Sequence, residues 1–124
     1  PTDGLCALAA VMSETERFGL AEACTRQHEL GSRIRELLVG HGFPSVAAEG
    51  FHAPGVVVSY TDDDDIKSGR KFADVGVQIA GGVPLQCDEP ADFKTFRLGL
   101  FGLDKLVNVD RTVQTFRAAL DQIG

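Results

Sequence analysis

At 124 residues, 44% hydrophobic and 24% charged, the chain fits one globular domain, long enough to bury roughly two-thirds of its unfolded surface without disulfide staples. A net charge of -6 and the lack of a basic stripe exclude a nucleic-acid backbone as the expected partner. No apolar run approaches a membrane span.

The three cysteines, Cys6, Cys24 and Cys87, are widely separated and form no Cys-x-x-Cys pair, so neither a zinc site nor a disulfide framework is expected. They fit a reducing, cytoplasmic setting. Cys6 and Cys24 read as small buried hydrophobes on helices and Cys87 as a loop thiol, the one worth testing for reactivity. His28, His41 and His52 show no local pairing with any of them. The start at Pro1, without an initiator methionine, is a weak hint of a piece of a longer protein.

Thr2 or Asp3 can cap a first helix, along which Leu5, Leu8, Ala9 and Met12 recur at helical spacing. Gly19 marks a turn or bend. From Leu20 a longer helix carries one apolar face through Ala23, Leu30, Ile34, Leu37 and Leu38, and His41-Gly42-Phe43-Pro44 ends it. Gly31 predicts a close crossing with another helix or strand. Glu22, Arg26, Glu29, Arg33 and Glu36 alternate in sign at spacings of three and four, the pattern of a solvated stripe.

Residues 45–51 form a weak strand pattern, and Val56-Val-Val-Ser-Tyr60 is the clearest short strand. Asp62 to Asp65 precede a short predicted helix, Ile66 to Asp74, whose first turn favours negative charge through the backbone dipole. The alternate-ligand spacing of a calcium loop is missing, so no metal is assigned. Val75 to Ala80 is predicted as another strand. Gly81-Gly82-Val-Pro84 reads as a turn where backbone approaches something closely, and Leu85 to Asp92 as a polar loop. Asn108 caps a last helix whose inward face is Val109, Val113, Phe116, Ala119, Leu120 and Ile123.

Between loop and last helix lies Phe93-Lys-Thr-Phe-Arg-Leu-Gly-Leu-Phe-Gly102. At period two, Phe93, Thr95, Arg97, Gly99 and Phe101 share one face, and Lys94, Phe96, Leu98 and Leu100 the other. Both faces are apolar enough to be covered. A guanidinium in mid-strand keeps its proton and requires an anion, and Gly99 leaves open space beside it. Arg97 either pairs with an acidic residue of the chain itself or serves as a carboxylate clamp for a small ligand. The order of elements predicts a two-layer α/β (α+β) sandwich, with a small, mainly antiparallel sheet covered on one face by helices.

Arg97-Leu-Gly-Leu-Phe-Gly102, followed by the Asn108-capped helix, resembles the closing segment of class V, fold-type-I pyridoxal-phosphate aminotransferases, in particular the alanine–glyoxylate and serine–glyoxylate group. The order of elements and the Gly-Gly turn resemble the small C-terminal domain of that fold type. The resemblance implies that residues 1–124 are such a domain without the large cofactor-binding domain, and that Arg97 binds the substrate carboxylate. Gly81 and Gly82 would belong to a candidate active-site loop, although the family's Gly-Leu-Gly-Pro is replaced here by Gly82-Val-Pro-Leu85. It further implies pyridoxal phosphate in a homodimeric full-length enzyme, with none bound to this chain, and no catalytic residue within it. The substrates would be a small amino acid and a 2-oxo acid such as glyoxylate or pyruvate. A stand-alone amino-acid-sensing module and an interaction domain are the other classes the residues allow.

Overall fold

The computed structural model describes residues 1–124. Gly19, at φ 95°, separates α1 (Thr2–Phe18) from α2 (Leu20–Gly40), a backbone conformation that side-chain-bearing residues rarely adopt. The remaining elements are β1 (Val56–Tyr60), α3 (Asp64–Lys67), α4 (Arg70–Asp74), β2 (Ala80–Gly81), β3 (Thr95–Gly99), α5 (Leu103–Leu106) and α6 (Val109–Ile123). The three strands form one antiparallel sheet in the order β1-β3-β2. The two-layer arrangement expected from the sequence is the one observed.

One face of the sheet carries the core. Val57 of β1 lies opposite Leu98 of β3 and Ser59 opposite Phe96, and all four are buried, together with Leu30, Ile34 and Leu38 of α2 and Val113, Phe116 and Leu120 of α6. Phe72 of α4 joins them, 5.5 Å from the Phe96 ring and stacked at 6.0 Å on Phe116. Complete burial of each such side chain is worth about 1.5–3 kcal/mol. On the opposite face Val56, Val58 and Arg97 are half buried and Tyr60 is exposed, while Thr95 is buried, so the sequence expectation that this face is covered holds only in part.

The outer stripe of α2 is partly solvated and partly a staple. Arg26–Glu22 and Arg33–Glu29 pair along the helix at 2.6 and 2.9 Å. Arg26 also donates to the carbonyls of Leu106 and Val107 at the end of α5, and Arg33 bridges to Asp110 on α6 at 2.7 Å. Gly31 marks a close crossing, but with a loop: a Cβ there would overlap the Pro54 carbonyl. Gln27 donates to Pro54 and Leu100 carbonyls at 3.1 and 3.3 Å, and Arg35 to Ala53 at 3.0 Å. These bonds fasten α2 to residues 53–55 and, through them, to the end of β3.

Several sequence expectations are corrected. The 45–51 strand reduces to a single bridge, Ser45 to Ser59. The 66–74 helix is broken by Gly69, in the left-handed conformation at φ 83°, into α3 and α4. Of the predicted 75–80 strand only Ala80 enters the ladder, as β2 with Gly81, because its first residues close α4 instead: Val75 and Val77 both donate to the Phe72 carbonyl, with Gly76 at φ 79° between them. Cys6 and Cys24 are exposed, as is Cys87. No residue of α1 is buried, so the stripe of Leu5, Leu8 and Met12 faces outward. No helix is long and apolar enough to cross a membrane.

His41, at the end of α2, hydrogen-bonds through Nδ1 to the Leu37 carbonyl (2.8 Å) and through Nε2 to Asp121 of α6 (3.0 Å). Both partners are acceptors, so both contacts are hydrogen bonds when the ring is protonated. The Asp121 carboxylate, and then the Leu37 carbonyl, raise the His41 pKa above its ordinary value of 6.5. The tie therefore stabilises the fold fully below 6.5 and fades as pH rises through the higher folded-state value. The pair is largely exposed, so the gain is about 0.2–1 kcal/mol. Urea midpoints at about pH 5.5 and about pH 8.5 should differ accordingly, and Asp121→Asn should abolish most of that difference.

Candidate functional site

Arg97 projects from the middle strand on the face away from the core, flanked across the ladder by Val58 of β1 and Ala80 of β2. Its residues on either side, Phe96 and Leu98, point into the core and fix the strand. Arg97 is half buried, and its Nε donates to the Gly81 carbonyl at 3.1 Å. No carboxylate lies within 4.0 Å of the guanidinium. The two terminal amino groups therefore remain a free planar fork.

Six of the chain's other eleven lysines and arginines do pair with an acid. Lys71 is held by Asp63 at 2.7 Å, Lys94 by Asp64 at 2.8 Å, and Arg70 by Asp65. The acidic run thus works as a cap and a set of surface ties. Asp63 Oδ1 accepts from the N–H groups of Asp65 and Ile66 at the start of α3, and the Lys71 ammonium, followed by the Ile66 N–H, lowers its pKa. Arg35 also lacks a carboxylate, but it is 8% exposed, donates to two main-chain carbonyls, and has its pKa lowered by burial. Its role is to fasten the 53–55 loop.

Both glycines of the candidate loop serve the arginine strand. Gly81 pairs with Phe96 and supplies the carbonyl that Arg97 holds. Gly82 crosses Thr95 so closely that a Cβ would overlap the Thr95 carbonyl and hydroxyl. Gly81 belongs to β2 rather than to a turn, and the close approach predicted for the pair is found at Gly82. Gly99 does leave room beside Arg97: the nearest atom to a Cβ there would be in the Phe101 ring, 3.9 Å away.

The segment after Gly82 holds a feature the sequence reading passed over. Glu89 accepts the N–H groups of Leu85 (2.6 Å), Gln86 (2.9 Å) and Cys87 (2.8 Å), wrapping the loop through left-handed conformations at Gln86 and Asp88. The Cys87 and Gln86 N–H groups, in that order, bring its pKa down to about 2. The only sequence signal was a glutamate shortly downstream of Pro84 in a stretch without regular periodicity. The carboxylate form holds the knot above the ordinary range and releases it as pH falls toward about 2. Glu89→Gln, which accepts through one oxygen only, should speed amide hydrogen exchange at residues 85–87 while leaving the core amides protected. Between this loop and β3 lies a cavity of about 320 Å³ lined by Gly82, Val83, Pro84, Pro90, Phe93 and Thr95, with Lys67, Glu89 and Ala91.

A small α/β domain that holds out one unpaired arginine from its middle strand is the class this geometry defines. No family model and no curated protein matches the chain. Among solved structures it is similar to an alanine–glyoxylate aminotransferase from Nostoc sp. (TM-score 0.74, 19% identity), covering 94% of this chain and 30% of that one. It is also similar to a subgroup IV aspartate aminotransferase from Thermus thermophilus (TM-score 0.65, 25% identity), covering 95% of this chain and 32% of that one. The fold is that of a small domain of such aminotransferases, and the chain spans about a third of their length.

Proposed function

We propose that the chain is the C-terminal, substrate-carboxylate-binding domain of a class V pyridoxal-phosphate aminotransferase acting on a small amino acid and a 2-oxo acid such as glyoxylate or pyruvate. The observation that carries this reading is Arg97, mid-sheet and half buried, with its amino groups free of any carboxylate in a fold shared with two aminotransferases. The free fork matches a carboxylate in two parallel hydrogen bonds, and so fixes the orientation of the bond at the substrate's α-carbon. No acid of the chain pairs with it, and Asp63, Asp64 and Asp65 pair instead with Lys71, Lys94 and Arg70, which leaves the fork to a ligand.

This reading assigns pyridoxal phosphate to no residue of this chain. Lys71, Lys94 and Lys105 are tied to Asp63, Asp64 and Asp104 at 2.7, 2.8 and 3.4 Å, and Lys67 lines the cavity beside Gly82 and Thr95. In this reading the cofactor belongs to a larger domain of a homodimeric enzyme. The outward stripe of α1, with Leu5 66% and Met12 63% exposed, supports a surface that further protein covers, since only Phe18 at the end of the helix packs against the core. The test is an amine-transfer assay on the natural gene product that contains this sequence. Transfer that collapses in Arg97→Lys supports the reading, and undiminished kinetics in that variant refute it.

A further inference from the structure

We propose that the cavity between β3 and the 83–91 segment receives the substrate's side chain, and that the Thr95 hydroxyl recognises it, so that the enzyme favours side chains ending in a neutral hydroxyl or amide. The inference rests on Arg97 being the carboxylate clamp.

Thr95 is 2% exposed, yet its hydroxyl makes no hydrogen bond within the chain. It is not among the fully enclosed orphan atoms, which are Arg35 Nε, Ser45 Oγ and Ser59 Oγ, so its remaining accessibility opens into the cavity it lines. A hydroxyl kept this dry without a partner costs free energy that a ligand acceptor or donor recovers. Thr95 and Arg97 stand on the same face of β3, roughly 7 Å apart along the strand. The Arg97 head turns to Gly81, and the next residue, Gly82, forms the cavity wall. A ligand clamped by its α-carboxylate thus needs a side chain of roughly three to five heavy atoms to span that interval.

The lining selects against a second charge. Lys67 and Glu89 place one charge of each sign on it, and both Glu89 oxygens are filled by main-chain N–H groups that keep it ionised. A side-chain carboxylate would meet no net cation there. Pro84, Pro90 and Phe93 supply apolar walls for the methylene groups, and the absence of a side chain at Gly82 keeps the hydroxyl accessible.

The test uses the intact enzyme with homoserine and norvaline, which differ by hydroxyl against methyl at the same length, and with asparagine against aspartate. Thr95→Val should lower kcat/KM for homoserine about tenfold more than for norvaline, and Thr95→Ser should restore it. The thermal midpoint of Thr95→Val should not fall, because no internal hydrogen bond is lost. Equal losses on homoserine and norvaline, or a preference for aspartate over asparagine, would overturn the subsite while Arg97→Lys still lowered kcat/KM for all four. Full activity in Arg97→Lys would instead remove the clamp, and the subsite with it.

Discussion

Replacing Arg97 by lysine in the enzyme that carries this domain should lower kcat/KM for every amino-acid substrate by roughly 10- to 150-fold, the equivalent of about 1.5–3 kcal/mol for one lost charge-assisted hydrogen bond. The charge survives the change, so a purely electrostatic role would be largely preserved. What disappears is the planar pair of donors, together with the Nε–H bond to Gly81 that sets the plane of the fork. A lysine ammonium on a flexible stem can bind a carboxylate but cannot fix its rotation. The loss should therefore appear in kcat as well as KM, whereas a residue that merely attracts anions would change KM alone. Cofactor absorbance should stay unchanged if, as proposed, the cofactor is held by residues outside this chain. Stopped-flow measurement of the half-reaction, beside steady-state kinetics, separates these outcomes. Arg97→Leu should go further, because it removes the charge together with the planar donors.

The parts of this site legible in the sequence were those set by strand parity and by the chemistry of arginine. Phe96 and Leu98 alternate with Thr95 and Arg97, and that alternation set the guanidinium on the face away from Phe96 and Leu98; which face the helices cover it did not show, since both were apolar enough to be covered. What parity could not show was whether an acid of the chain meets it, since that depends on where the Asp62–Asp65 run lands. The run lands on Lys71, Lys94 and Arg70, a pairing fixed only by tertiary packing. The burial of α1 was misread for a related reason: helical spacing of Leu5, Leu8 and Met12 says which residues share a side, not whether anything covers it. The 75–80 stretch looked like a strand because Val75, Val77 and Ile79 alternate with small or polar residues. The local competition was won by Gly76, whose left-handed φ of 79° lets the chain close the preceding helix. Glu89 was invisible because carboxylate-to-main-chain knots have no period.

Phe72→Ala should cost about 3–5 kcal/mol, a large share of the roughly 5–15 kcal/mol available to a domain. Phe72 is fully buried and touches rings on two other elements, Phe96 of β3 and Phe116 of α6. It is also the one buried residue of α4, a five-residue helix too short to persist by its own hydrogen bonds. Truncation thus empties core volume and unfastens α4 together. The urea midpoint should drop, and native-state hydrogen exchange should show residues 73–77 losing protection before the amides of α2 and α6, because Val75 and Val77 hang from the Phe72 carbonyl. If those amides exchange no faster than the rest of the domain, α4 is held by something other than this ring. The consequence extends to the site, since the same segment leads directly into Gly81, whose carbonyl is the only protein acceptor that Arg97 has. Phe72→Ala should therefore weaken carboxylate binding under conditions where the domain is still folded, and Phe72→Leu, which refills most of the volume, should recover both stability and binding.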